Sequence, residues 1–284
     1  MKKTPILFVC AAMMLTGCSG ATANIKDKDE TIMTIGDTKY TKGDEYELLK
    51  VSTGTDLTME LVKQAIYKQE VKVTKEMKEK AQEQVDNYKE NMEYFDEQIQ
   101  SLGYKNSKQY MNKVLIPSLQ ASELTEKYFT DAKKDIQKTY KPSKARIIQC
   151  ENKATAKKAL KALKSGTDPE EVAQQYMIDS ATYSGKETLV TTKTTDLSTR
   201  LINKLSKAKK AGVIDEVFTN ESSGNTYAYV AVLVSNTYKN IKDEVYTTLS
   251  SDDDITKACL VYYLKKYNFE VHDQDVFNNL KANN

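Results

Sequence analysis

The stretch "ATAKKALKALKSGTDPEEVAQQY" (154–176) decides the fold of this chain, because it contains the signals of two successive short helices. In the first helix, apolar residues recur at helical spacing: Ala156, Ala159, Leu160 and Leu163. Gly166 follows as a stop signal. In the second helix, Asp168 stands at the N-cap position and Pro169 at the first helical position. We therefore predict a helix–turn–helix pair here.

Strand signals lie on both sides of this helix pair. "KARIIQC" (144–150) precedes it, and "TYAYVAVLV" (226–234) is the strongest strand signal of the chain. Between the pair and that strand we expect a loop around Gly185, a helix near 197–208 and an extended segment at 213–218. The order is β-α-α-loop-α-β-β, which predicts a compact α+β unit.

The rest of the chain is predicted to be mainly helical. Residues 31–40 suggest a short hairpin, Thr41 and Asp44 form a capping pattern, and Asp56 is expected to cap a second helix. The tail returns to helix, with a short strand expected in "NFEVHD" (268–273) and a last helix after it. Neither helical piece has enough length to bury its apolar stripes alone, so we expect the tail to pack on the N-terminal helices.

The first residues, "MKKTPILFVCAAMMLTGC", have the pattern of an export signal. Lys2 and Lys3 precede an apolar segment that is too short to span a bilayer. Its end, Leu-Thr-Gly-Cys, resembles the lipobox of bacterial lipoproteins, in which cleavage between Gly17 and Cys18 accompanies acylation of the cysteine thiol. The expectation is a lipoprotein signal peptide at 1–17 and a polar tether at 18–30. The alternative is an ordinary signal peptide with a chance cysteine.

Composition excludes several classes of function. The formal net charge is only +2 for 284 residues, which argues against a nucleic-acid partner. No GxxxxGK[ST] sequence is present, no Cys/His cluster suggests a metal site, and the single histidine is His272. We therefore expect no cofactor and no metal. Cys150 and Cys259 are expected to be two buried thiols, with a disulfide as the alternative.

The order of these segments resembles the PrsA-like foldase lipoproteins, which are parvulin-type isomerases; the SurA chaperone is a more distant relative. Three stretches carry the resemblance: "TIGDTKYTKGDEYELLK" (34–50), the helix pair at 154–176, and "KKYNFEVHDQDV" (265–276). It covers essentially the whole chain.

The resemblance implies an α+β fold. An all-helical chaperone domain would be formed by 31–141 and 237–284, with a parvulin-like β-α-α-α-β-β domain inserted at 142–236 and the C-terminal segment packed on the helical domain.

The parvulin resemblance also implies a pocket with a histidine on the first strand and another on the last. This chain has Arg146 in the first position and Tyr227 to Tyr229 around the second, and 31–271 contains no histidine. We therefore assign none of the family's catalytic residues to this chain. The candidates for a degenerate pocket are Arg146, Tyr227 and Tyr229. Arg146 has two interpretations: a residue on the rim of the pocket, or a donor that polarises a prolyl carbonyl.

The resemblance predicts a membrane-anchored foldase or chaperone for secreted proteins, with weak or absent peptidyl-prolyl isomerase activity. Expected partners are unfolded secreted proteins and, through the lipid anchor, the outer face of a Gram-positive cell membrane; a homodimer is left open. One alternative is an active isomerase. Another is a solute-binding lipoprotein of a transporter, which the low counts of 10 Gly and 4 Pro and the lack of repeated βα units disfavour.

Overall fold

The computed structural model describes residues 25–222 and 225–282. The predicted signal peptide, Gly17 and Cys18 lie outside these residues. The described chain forms two compact units: one contains its residues up to Thr125 together with those from Thr256 onward, and the other is Glu126–Ile255. We call the first the helical unit and the second the sheet unit, after the structure that dominates each.

The helical unit begins with the expected hairpin. Strands β1 (Thr31–Ile35) and β2 (Thr38–Thr41) pair antiparallel around a turn in which Gly36 has a φ of +59°. Thr41 then caps the following helix through a capping box with Asp44, as predicted: the Thr41 Oγ1 accepts from the Asp44 N–H, and the Asp44 carboxylate accepts from the Thr41 N–H.

The first helix is longer than predicted. Helix α1 spans Lys42–Glu70 without interruption, so the expectation that Asp56 caps a separate helix was wrong. The glycine at position 54 does not end the helix, since one internal glycine costs only about 1 kcal/mol relative to alanine. The C-terminal helix α12 (Gln274–Ala282) contacts α1. The buried Lys50 ammonium links them, because it lies 2.9 Å from a carboxylate oxygen of Asp275.

The remaining helices of this unit form a small core around a widened turn. They are α2 (Lys75–Asn91), α3 (Phe95–Ser101), α4 (Ser107–Tyr110) and α5 (Ile116–Asp131), with a π-helical turn at Met111–Leu115 between α4 and α5. In this turn the N–H of Ile116 donates to the carbonyl of Met111. Pro117 follows directly. Proline lacks an N–H and clashes with the carbonyl four residues earlier, and the wider turn accommodates it.

The sheet unit contains the predicted helix pair. Asp168 caps the second helix by accepting from the Glu170 N–H at 2.8 Å, and Pro169 is the first helical residue, as expected. The helices that lie in or enter this unit, besides α5, are α6 (Lys133–Tyr140), α7 (Lys153–Lys164), α8 (Pro169–Tyr176), α9 (Thr199–Lys207), α10 (Tyr238–Leu249) and α11 (Asp253–Lys266).

The sheet of this unit is antiparallel throughout its described pairs. It consists of β3 (Ser143–Cys150), β4 (Ser184–Val190), β5 (Gly212–Val213), β6 (Phe218–Ser222) and β7 (Asn225–Ser235). The order is β4-β3-β7-β5, and β6 also pairs with β7. The mixed helix-and-sheet class is as predicted. The expected loop around Gly185 is instead the edge strand β4, which the charged and polar residues before Leu189 concealed.

The two faces of the sheet carry separate cores. One face packs against α9, through residues that include Ala145, Ile147, Leu201, Leu205, Tyr229 and Ala231. The other packs against α7 and α8, through residues that include Ile148, Cys150, Ala159, Leu163, Val172 and Val230. Alternate residues of β3 therefore point to opposite cores, as the period of two in a strand requires.

The strand expected at 268–273 is absent from the structure. This segment joins α11 to α12 without regular secondary structure, and Asn268 adopts a left-handed φ of +48°. An Asp273 carboxylate oxygen accepts the N–H groups of Asp275 and Val276 at 3.0 Å each. The segment therefore serves as the cap of α12.

Two further expectations concern the chain as a whole. Cys150 and Cys259 are both free, buried thiols, as predicted. Among the residues that the structure describes, no helix combines the length and the apolar character needed to cross a membrane.

Candidate functional site

Arg146 lies on the face of the sheet that packs against α7 and α8. Its guanidinium contacts two carboxylates from different elements: Nη1 is 3.0 Å from an Oε1 of Glu170 at the start of α8, and Nη2 is 3.2 Å from an Oε1 of Glu187 on β4. Nη1 also donates to the carbonyl of Gly185 at 3.4 Å. The side chain is 26% exposed. Arg146 thus joins β3 to β4 and to α8.

The charges around Arg146 form a network. The hydrogen bond with Glu170 raises the pKa of the Arg146 guanidinium, and Glu187 adds to this. Lys144, two residues earlier on β3, lies 3.0 Å from Glu187 and 2.7 Å from Glu244 on α10, and its hydrogen bond lowers the pKa of the Glu187 carboxyl. The arginine donors are therefore engaged with protein acceptors.

Tyr229 and Tyr227 belong to the opposite face. Tyr229 is part of the core against α9 and only 2% exposed, and Tyr227 packs against the same core. The ring of Tyr229 meets that of Tyr183 edge to face, with 6.2 Å between centroids. Burial raises the pKa of the Tyr229 hydroxyl above its ordinary value. The structure therefore does not bring Arg146 together with the two tyrosines in one pocket.

The polar cluster around Tyr183 was missed by sequence reasoning. The Tyr183 hydroxyl donates to a carboxylate oxygen of Asp196 at 2.9 Å, and the Asp196 carbonyl accepts from the Asn220 side chain at 2.9 Å. Burial is the largest cause that raises the pKa of Tyr183, and Asp196 raises it further. The Tyr183 hydroxyl therefore donates to Asp196, and its ring belongs to the core against α9.

Gln149 is a second residue that the sequence did not single out. It is buried on the same face as Tyr229, its pairing partner on β7. Its side-chain oxygen accepts from the N–H of Thr182 at 2.9 Å, and its carbonyl accepts from the N–H of Ile178 at 3.1 Å. Gln149 thereby fixes the segment between α8 and β4. The only sequence signal for it is a glutamine inside an otherwise apolar strand.

A cavity of about 910 Å³ also lies in the sheet unit, along the end of α9 and β5. It is lined by residues between 200 and 215, so it contains none of the three candidate residues. Two of its cations, Arg200 and Lys204, pair with Glu216. No group of three or more His, Cys, Asp or Glu among residues 25–222 and 225–282 could hold a metal ion.

A larger cavity, of about 1000 Å³, lies in the helical unit. It is bounded by the last turns of α1, the link to α2, α2 itself, the π-helical turn and the start of α5, and we call it the cleft. The buried Gln120 side chain donates to the carbonyl of Val71 at 2.8 Å and so joins α5 to the link between α1 and α2. Apolar groups also line the cleft, from α1, the link to α2, the link between α3 and α4, the π-helical turn and the start of α5: Tyr67, Val73, Tyr104, Val114, Ile116 and Pro117.

No protein-family model and no curated protein sequence matches the chain. Solved structures do match. The peptidylprolyl isomerase PrsA from Bacillus cereus is 21% identical, with a TM-score of 0.51 over 90% of this chain and 99% of that one. Foldase protein PrsA from Streptococcus pneumoniae is 19% identical over 87% and 97%, with a TM-score of 0.40. PrsA from Bacillus subtilis is 20% identical over 89% and 99%, with a TM-score of 0.38.

The likeness to the Bacillus cereus protein extends over nearly all of both chains. The chain therefore has a PrsA-like fold, in which helices accompany a five-stranded sheet.

Proposed function

We propose that this protein is an extracytoplasmic, lipid-anchored foldase or chaperone that binds secreted proteins before they fold. Its isomerase activity is weak or absent. The observation that carries the proposal is the PrsA-like fold over 90% of the chain, combined with the lack of any histidine between residues 31 and 271. The fold supplies surfaces for clients. The chain lacks the two histidines that the parvulin resemblance associates with catalysis.

Exposed apolar side chains support the chaperone part of the proposal. They lie on the hairpin and along α1, and the larger ones include Ile32, Met33, Ile35, Tyr40, Leu48, Leu57 and Leu61. Exposed apolar surface of this kind marks interaction sites, and flexible Met and Leu side chains adapt to unrelated partners. An unfolded client presents such varied apolar segments.

The low isomerase activity follows from the state of the candidate residues. Isomerisation of an X–Pro bond has a barrier of about 20 kcal/mol, and one preorganised donor is commonly worth a factor of about 10²–10³ in rate. The N–H groups of Arg146 are paired with Glu170 and Glu187 on one face of the sheet, and the Tyr229 side chain is buried on the other face. The side chains of Arg146 and Tyr229 therefore do not converge on one substrate bond.

The alternatives receive less support. An active isomerase would need other groups than those the resemblance points to. A solute-binding protein with a doubly wound fold would have a parallel sheet with repeated βα units, whereas the described strands all pair antiparallel.

The test compares two activities of the chain from residue 18 onward, made without the signal peptide. We expect it to suppress the aggregation of a chemically unfolded client at stoichiometric concentration and to accelerate X–Pro isomerisation in a proline peptide little or not at all. Robust isomerisation that collapses in Arg146→Ala would contradict the weak-activity proposal. Failure to suppress aggregation with several unrelated clients would contradict the chaperone proposal.

The anchor is tested separately. We expect Cys18→Ala to leave an unprocessed or shed protein, because the thiol is the acceptor of the lipid in the lipobox resemblance. The measurement is membrane fractionation with metabolic labelling by a fatty acid. A Cys18→Ala variant that loses its leader and still stays on the membrane would rule out the lipid anchor.

A further inference from the structure

We propose that the cleft of the helical unit binds extended client segments that combine acidic and apolar side chains. This inference rests on the proposed chaperone function and names the client chemistry that one site selects. Three observations carry it: the positive charge of the cleft, the lack of ion pairs between its lysines and the other described residues, and the apolar groups between the lysines.

Four lysines line the cleft, from three different elements: Lys63 and Lys68 on α1, Lys78 on α2, and Lys113 on the π-helical turn. None of them makes an ion pair with any residue that the structure describes. The whole chain has a formal net charge of only +2, so four unneutralised lysines around one cavity are a local concentration of positive charge.

The acidic groups nearby are already engaged. Glu60, the one carboxylate that lines the cleft, accepts from the side chain of Gln64 at 3.1 Å. On α2, Glu79 pairs with Lys75 at 3.1 Å and Glu76 pairs with Lys80 at 2.7 Å. The hydrogen bond with Lys80 lowers the pKa of the Glu76 carboxyl, which keeps this pair charged and mutually neutralised. Four lysines and the single carboxylate of Glu60 therefore line the cleft, which leaves it a net charge of +3 for a ligand.

The groups between the lysines favour a polypeptide over other anions. Tyr67, Tyr104, Val114 and Pro117 supply aromatic and aliphatic surface, which a phosphate polymer would not use. A flat bilayer surface does not enter a concave site of about 1000 Å³, whereas an extended chain does. Carboxylates spaced along such a chain reach the lysines, of which Lys63 is half-buried and the other three are exposed, while the apolar side chains between them enter the cleft.

The test uses two fluorescein-labelled extended peptides of equal length with the same apolar residues and interspersed prolines. One carries glutamates and the other carries glutamines at the same positions. Fluorescence anisotropy measures their affinity for the full mature chain at low and high salt. The cleft variant removes four charges: Lys63→Gln, Lys68→Gln, Lys78→Gln and Lys113→Gln. The matched control removes four exposed lysines of the same unit: Lys28→Gln, Lys39→Gln, Lys257→Gln and Lys265→Gln.

We expect the wild type to prefer the glutamate peptide at low salt. The cleft variant should lose about tenfold in affinity for it, since exposed ion pairs each contribute modestly, and the control about twofold or less. High salt should remove the preference by screening. Equal affinity for both peptides, or an equal loss in the control, would overturn the proposal. So would a cleft variant that loses binding to phosphatidylglycerol vesicles or to single-stranded DNA while it keeps the glutamate peptide.

Aggregation assays with a net-neutral unfolded client separate this inference from the proposed function. If the wild type suppresses aggregation but shows no preference for the glutamate peptide, only the cleft proposal fails. If the wild type does not suppress aggregation at all, the proposed function fails as well.

Discussion

At the residue scale, Arg146 joins three elements, because the two Nη atoms of its guanidinium contact carboxylates on two other elements. Glu170 begins α8, Glu187 lies on β4, and Arg146 itself is on β3. The chain contains one other arginine, Arg200, whose side chain is 72% exposed and whose partner Glu216 also pairs with Lys204. The two arginines therefore make a matched pair for measuring what each ion pair contributes.

We expect Arg146→Ala to lower the free energy of unfolding by about 1–2 kcal/mol, because it removes partly buried, charge-assisted hydrogen bonds. Arg200→Ala should cost about 0.5 kcal/mol or less, because exposed pairs contribute little and Lys204 stays with Glu216. Urea unfolding followed by circular dichroism measures both. Equal losses in the two variants would show that Arg146 has no special structural role.

The two buried cysteines make the stability of the protein depend on pH in the alkaline range. Burial raises the pKa of Cys150 to about 11 and that of Cys259 to about 12. An unfolded thiol loses its proton near pH 8.5, about the ordinary value. Between these values the unfolded chain binds fewer protons than the folded chain, so the stability contributed by each buried thiol is present below about pH 8.5 and is lost as the pH rises.

We therefore expect the free energy of unfolding to fall above about pH 9, by up to about 1.4 kcal/mol per pH unit for each thiol. The Cys150→Ala/Cys259→Ala variant should be less stable at neutral pH, through the lost buried sulfur atoms, but should show a shallower fall. Buried tyrosines contribute to both proteins, so the measured quantity is the difference between the two pH curves. If the free energy of unfolding falls equally steeply with pH in the wild type and in the variant, the buried thiols do not cause the alkaline loss of stability.

At the element scale, Gly185 allows β4 to approach the start of α8. Its φ is +80°, and a Cβ atom built on it would lie 2.4 Å from the carbonyl oxygen of Pro169. Gly166, after α7, has a similar φ of +95°, but a Cβ atom there would have no heavy atom within 4 Å. The same substitution at the two glycines thus separates backbone strain from a steric clash.

Gly185→Ala should cost about 2–4 kcal/mol, since strain at a positive φ adds to overpacking against backbone that cannot move aside. Gly166→Ala should cost about 1 kcal/mol from the left-handed conformation alone. Thermal unfolding monitored by circular dichroism gives the ranking. A Gly185→Ala variant as stable as Gly166→Ala would mean that β4 does not pack on α8 as described.

At the scale of the whole molecule, the sheet unit includes more helix than the predicted insertion at 142–236. The buried Tyr238 hydroxyl of α10 donates to the carbonyl of Phe129 on α5 at 2.7 Å, and the ring of Phe129 meets that of Tyr246 edge to face at 5.3 Å. Lys144 on β3 pairs with Glu244 on α10 at 2.7 Å. These contacts attach α10 and the end of α5 to the same compact unit.

We expect a fragment of residues 126–255 to unfold cooperatively and with a higher free energy of unfolding than a fragment of residues 143–236. The shorter fragment keeps the sheet and the helices α7 to α9, so it should fold with the spectrum of a mixed α/β unit, but it loses the contacts of α10. Denaturant titration of both fragments tests this. A random-coil spectrum for both would contradict an independently folding sheet unit.

Local signals in the sequence determined much of the fold. Asp168 with Pro169, and Thr41 with Asp44, define helix starts because side-chain oxygens and a missing N–H act within one turn of chain. The alternation in 226–234 gives β7, and Gly166 ends a helix, for equally local reasons. The order of these elements was enough to predict the mixed fold and its resemblance, and the absent histidines were visible without coordinates.

The tertiary structure alone decided the features that depend on partners distant in the chain. The strand β4 exists because β3 pairs with it, and the segment 268–273 is irregular because Asp273 caps α12. Which face of the sheet a residue occupies is set by strand register, and this separates Arg146 from Tyr229 although both were candidates for one pocket. The cleft likewise depends on bringing Lys63, Lys78 and Lys113 together from separate elements. Charge and shape in such a site are properties of the packed chain, and no local pattern encodes them.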